Sequence, residues 1–189
     1  MQAKQNWEKE SIYPFDEERK QLLLEKAGEC TFNWVTREGW PVGVIMSYLW
    51  HDGSIWVTAG GHRHRISAVR RDPRVSVVIS GASHPDAPFG SLTCKGRAIV
   101  HDDQATKDWF YPAFTSKGQG DPAAAEAFRK QLDSPLRVIV QVIPEKWIEW
   151  DGTKVGLHAM GQLPEDQKGP ELSSDSERWV TEAEKKGLS

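Results

Sequence analysis

The segment from Thr58 to Arg74 holds five arginines (63, 65, 70, 71 and 74) and two histidines against one aspartate, in a chain of net charge −3. Ile66 and Val69 at helical spacing predict a short helix from about His64 to Arg71, ended by Asp72-Pro73. Arg70 and Arg71 then fall in its last turn, where cations answer the negative end of the helix dipole. Arg63 and Arg65 fall at its start. There the dipole is already positive and four backbone N–H groups lack partners, so cations repel one another unless an anion lies between them. A bound phosphate resolves that conflict. Gly60-Gly61, just ahead, carries no Cβ and lets backbone approach a ligand, and Thr58 can add a hydroxyl. The segment therefore predicts an anion site. The alternative is a solvated basic turn.

Other chemistries find little support. His62 and His64 would share a face of an extended segment, but no HExxH, cysteine ligand or nearby carboxylate completes a metal site. There is no G-x-S-x-G elbow, no Rossmann G-x-G-x-x-G and no P-loop. Cys30 and Cys94 form no CxxC pair and read as free, buried or half-buried thiols.

The elements that must position this segment read as short strands with few helices. Asp16 caps a helix running to about Ala27, with Gly28 as its stop. Strands follow at 31–36, 42–49 and 54–58, joined by turns at Glu38-Gly39 and His51-Asp52-Gly53, which predicts an antiparallel meander. After the short helix come a strand at 75–80, a proline-containing loop at 81–90, and a long strand at 91–101 with a bulge at Gly96. Helices are expected at about 105–114 and 123–132, then a strand at 136–143. A last hairpin is expected from Trp147 to Leu157. Ser174 and Glu177 have capping-box spacing for one helix in the polar remainder. The pattern indicates a barrel or sandwich. Its organisation is a flexible arm at 1–14, one domain at 15–157 and a polar tail at 158–189.

With 189 residues, 38% of them hydrophobic, one core is affordable. No apolar run approaches the ~20 residues of a membrane span, and the charged start has no signal-peptide character, so a cytoplasmic protein without membrane partners is expected. The net charge and the lack of a recognised motif argue against nucleic acid. Five of the nine tryptophans (34, 50, 56, 147 and 150) lie in strand-like segments. There they serve core and interface packing, or line a flat ligand.

The run Trp56-Val57-Thr58, the Gly/His/Arg turn, and Ile66 through Asp72-Pro73-Arg74-Val75 to Val77 resembles the FMN-binding split barrels related to pyridoxamine 5'-phosphate oxidase. The strand 92–101 and the closing segment 138–152 are similar too, and the resemblance covers about residues 16–157. It implies a mainly β, antiparallel Greek-key split barrel with peripheral helices, which pairs as a homodimer with each flavin between subunits. It places Arg65 where the family has its phosphate-binding lysine, with His64 and Arg63 in the two positions before. Val57 and Thr58 match the strand end that meets the flavin. Ile45, Met46 and Ser47 approximate the stretch whose backbone hydrogen-bonds the isoalloxazine edge, and Ser91 falls near a ring contact.

His-Arg-His-Arg departs from the family's Ser-Arg-Lys, and the basic and tyrosine set for a second phosphate is not found, which argues against vitamin B6 synthesis. The expected function is an FMN-dependent oxidoreductase acting on a small organic substrate. One alternative is a reductase using the deazaflavin coenzyme (F-420). Another is a flavin- or haem-binding protein without turnover, in which His62 or His64 would serve haem. No side chain stands out as a general acid or base.

Overall fold

The computed structural model describes residues 10–117 and 121–188. Alternation of apolar and polar residues produces most of the strands. In β1 (Glu29–Val35) Cys30, Phe32 and Trp34 turn inward, and in β5 (Arg74–Ser80) Val75, Val77 and Ile79 do. The other strands are β2 (Pro41–Ser47), β3 (Leu49–His51), β4 (Ser54–Gly60), β6 (Gly90–His101) and β7 (Arg137–Asp151). They form one antiparallel sheet in the order β2-β1-β5-β6-β7-β4-β3.

The expected meander is broken. β2 and β3 lie at opposite edges of the sheet, yet only Tyr48 separates them in the chain. Both edges are therefore one run of backbone, and the sheet curls back on itself as a barrel. Tyr48 holds the corner: it is fully buried and its hydroxyl donates to the Leu24 carbonyl at 2.7 Å. That carbonyl belongs to α1 (Glu17–Lys26), which Asp16 caps as expected. The barrel interior is a single cluster that includes Phe32, Val57, Val77, Leu92 and Val140.

α2 spans His64–Arg71, and α3 (Gln104–Lys117) and α4 (Pro122–Leu132) follow β6. A second apolar cluster of Trp56, Phe110, Tyr111, Phe114, Leu132 and Ile139 packs α3 and α4 on the outer face of β4 and β7. The bulge at Gly96 is present as a register shift between Lys95 and Gly96. Gly96 faces Pro144, which has no N–H to give the ladder.

The expected last hairpin does not form. β7 runs unbroken to Asp151, and Gly152–Ala159 is helix α5. Asp151 dictates this. Its fully buried carboxylate accepts from the Thr153 N–H (2.9 Å), which caps α5, and from Arg19 Nε (2.9 Å) and Nη2 (3.2 Å), which ties α1 to the barrel's last strand.

Of the expected arm, residues 1–9 lie outside the described residues, while Ile12 and Tyr13 are buried against Leu163. The Tyr13 hydroxyl and His158 Nδ1 are 2.7 Å apart. The tail does contain a helix, α6 (Ser173–Lys185), but its N-cap position is Leu172 and no side chain caps it, so the capping box is not made.

Asp151→Ala should lower stability by about 2–4 kcal/mol, through the lost charged hydrogen bonds and the lost cap, seen as an earlier urea midpoint at unchanged slope. Ending the chain after Leu157 removes His158 and Leu163. The expected product is a folded barrel of lower Tm with Tyr13 exposed, checked by near-UV circular dichroism.

Candidate functional site

The barrel is closed only along part of one seam. β3 pairs with β4 from Leu49↔Trp56 to His51↔Ser54. Continued along the chain, that register would set Ser47 opposite Thr58 and Ile45 opposite Gly60. Among the described residues no such pairing exists: β2 pairs only with β1, and β4 beyond Trp56 pairs only with β7. Past Tyr48 the two strands diverge and leave a split. Each lip offers unpaired backbone N–H and C=O groups, which must find partners elsewhere.

α2 begins at one end of this split, and its start is electrostatically unusual. α1, α4 and α5 are capped by Asp16, Asp121 and Asp151. At the same position α2 has Arg63, in extended conformation and with no side-chain cap bond. The first-turn amides thus lack the carboxylate that caps the other three helices.

Two further arginines gather there. Burial first, then the Arg63 and Arg137 guanidiniums, push the Arg65 guanidinium below its ordinary value. Arg65 Nε is buried and makes no hydrogen bond. Arg137 arrives because β7 sets it directly across from Gly60. The arginine ion pairs among the described residues are Arg19–Asp151, Arg74–Asp72, Arg97–Glu145, Arg129–Glu126 and Arg178–Asp175. Arg63, Arg65 and Arg137 belong to none of them. Close packing holds the turn in place: the Gly61 N–H donates to the Leu136 carbonyl at 2.6 Å, and a Cβ on Gly61 would sit 3.0 Å from that oxygen.

The sequence-expected residues separate into groups. Ile45, Met46 and Ser47 lie on one lip of the split, and Val57 and Thr58 on the other. Ile45 is exposed (70%), whereas Val57 points into the core and can offer the split only its backbone. The Thr58 hydroxyl donates to the Val138 carbonyl at 2.9 Å. Its one proton is spent there, so it brings an anion no donor. His64 lines a hollow of about 390 Å3 with Trp34, Arg37 and Arg71. Arg71 has a structural task, donating to the Val35 carbonyl at 2.5 Å. Ser91 is the second residue of β6, which lies three strands from β2 and two from β4.

Sequence reasoning missed Arg137. Its only signal is a charge just ahead of the apolar run Val138-Ile139-Val140. Tyr111 was missed too. Its buried hydroxyl lies near Thr58 and Arg137, and burial pushes the phenol up. Among the described residues no group of three or more His, Cys, Asp or Glu side chains is placed to hold a metal ion, and no helix is long and apolar enough to cross a membrane.

Comparison with known proteins agrees with this architecture. A conserved hypothetical protein of Mycobacterium tuberculosis has a similar fold at TM-score 0.67 and 21% identity, over 78% of this chain and 91% of that one. An F420 reductase is similar at TM-score 0.51 and 21% identity, over 67% and 93%. A protein of Clostridium acetobutylicum related to general stress protein 26, of the pyridoxinephosphate oxidase family, is similar at TM-score 0.51 and 16% identity, over 75% and 99%. No curated protein matches. The family described as pyridoxamine 5'-phosphate oxidase matches residues 15–151, the whole barrel from the start of α1 to the end of β7, and the chain belongs to that family.

Proposed function

We propose that this protein is a flavin-dependent oxidoreductase that binds FMN in the split, with the phosphate at the Arg63–Arg65–Arg137 cluster. One observation carries the reading: a buried, unbonded Arg65 Nε among three guanidiniums without a carboxylate, at the uncapped start of α2. Such a cluster fits a phosphate, whose oxygens accept charge-assisted hydrogen bonds from planar guanidinium forks.

Each part of the chain then has a task. Arg65 and Arg137 bind the phosphate. The lip backbones at Ile45, Met46, Ser47, Val57 and Thr58 give partners to a flat ring with donors and acceptors on its edge. Val57 and its neighbours in the barrel interior keep water from the inner side of the split. When bound, the isoalloxazine supplies two-electron redox chemistry, and the protein orients and tunes it. A homodimer completes the site in this reading. Trp40, Ile45, Ile143 and Ile148 are 41–71% exposed on strands or turns of the barrel, the kind of apolar surface that a second copy covers.

A second reading keeps the split and changes the ligand to a deazaflavin coenzyme. Arg63 and His64 are exposed, so the anion end opens to solvent, as a phosphate carrying a longer chain would require. The F420 reductase of similar fold supports the same reading.

Arg65→Ala and Arg137→Ala should each weaken FMN binding roughly tenfold to more than a hundredfold, the equivalent of about 1.5–3 kcal/mol for a charged hydrogen bond. Riboflavin, which lacks the phosphate, should lose much less. Arg71→Ala should leave FMN affinity unchanged. Flavin fluorescence titration of the four proteins decides it, and equal losses for FMN and riboflavin would place the phosphate elsewhere.

A further inference from the structure

Beyond the closing end of the split lies a cavity of about 790 Å3, lined by Tyr48, Phe114, Phe128, Lys117, His84 and Asp86. It is also lined by Ser47, the last residue of β2, whose strand forms one lip of the split. A cleft of this size can bury a small organic ligand.

Lys117 gives the cavity its chemistry. Its ammonium donates to the Ala27 carbonyl at 3.0 Å and the Tyr48 carbonyl at 3.3 Å, and lies 4.1 Å from the centre of the Tyr48 ring. Both carbonyls sit at breaks, one after α1 and one at the corner between β2 and β3. Capping them accounts for two of the three N–H groups. The third has no acceptor among the described residues, and Lys117 belongs to none of their ion pairs.

The two acids that line the cavity, Glu25 and Asp86, make no ion pair with Lys117, although the Glu25 charge favours its ammonium. Cys30 of β1 is pushed up to about 12 by burial, and burial pushes the Tyr48 phenol up as well, so both stay neutral. Glu25 of α1 and Asp86 of the loop after β5 are exposed, as is Lys26, while His84 of that loop is half-buried. A half-buried cation with a spare donor, walled by three aromatic rings, is an anchor for an organic anion.

We propose that this cavity is a second ligand site for a planar organic carboxylate, aromatic or conjugated, which packs among Phe114, Phe128 and Tyr48 and accepts the third N–H of Lys117. Contact with Ser47 makes it the substrate's place beside the flavin, a role that rests on the reading of the split given above. Burial, opposed by the surroundings of Cys30 and Glu25, holds the Lys117 ammonium down to about 8. The anchor is therefore charged below that pH and lost as pH rises through it.

The test is calorimetric titration with 2-naphthoate and its neutral analogue 2-naphthamide, on protein with and without added FMN. At about pH 6.5, 2-naphthoate should bind one to one, at least tenfold tighter than the amide. That preference should disappear in Lys117→Met, and in the wild type at about pH 9.5, where the lysine is neutral. The wild-type pH comparison stands even if the variant fails to fold. Equal affinity for the two probes, no saturable binding of 2-naphthoate, or a preference unchanged at high pH would overturn the proposal. Binding of 2-naphthoate by protein that takes up no flavin would leave the cavity standing and remove the flavin reading. Flavin uptake without 2-naphthoate binding would do the reverse.

Discussion

Three guanidiniums gathered without a carboxylate are the constraint on which the rest of the site depends. Two unit charges a few ångströms apart repel by about 1 kcal/mol in water and by about 4 kcal/mol at the effective dielectric near a protein surface. The fold nevertheless brings them together by independent routes. The β4–β7 register puts Arg137 beside Gly60. The chain then turns through Gly61 and starts α2 at once, with Arg63 and Arg65 in its first residues. Among the described residues none of these arginines has an acidic partner, although Arg97, Arg129 and Arg178 on the surface all have one. An anion between them turns repulsion into binding.

The split exists because the barrel's seam is closed at one end only. Tyr48 fixes the corner between β2 and β3 through its hydroxyl bond to α1, and β3 pairs with β4 for three residues. Beyond that point β2 follows β1 while β4 follows β7. Two unpaired edges so close together would invite strand addition or aggregation if left bare. A flat ligand with polar edges satisfies them, and the exposed apolar surface nearby gives a second copy of the chain something to cover.

Much of this was legible in the sequence, and the failures have physical causes. Apolar–polar alternation marked β1 and an apolar run marked β5, and the α2 limits, His64 and Arg71, follow from the spacing of Ile66 and Val69 and from Asp72-Pro73. The conflict at Arg63 and Arg65 was legible because dipole direction needs only local sequence. Arg137, Tyr111 and Lys117 were not, since each reaches its place by a strand register or a helix docking over long sequence distance. Asp151-Gly152 reads locally as a turn. It becomes a helix cap because Arg19, far away in the chain, pins the carboxylate. The Thr58 hydroxyl reads locally as a free donor, and the Val138 carbonyl of the neighbouring strand takes its proton.

The most direct measurement of the central claim is the 31P spectrum of FMN in the presence of the protein, followed across pH. The second ionisation of a phosphate monoester lies near pH 6 in free solution. Three guanidiniums around it favour the dianion and move that ionisation down. The account predicts a bound resonance distinct from free FMN that holds its dianion position from about pH 8 to well below pH 6. A bound resonance that titrates near pH 6, as free FMN does, would contradict it.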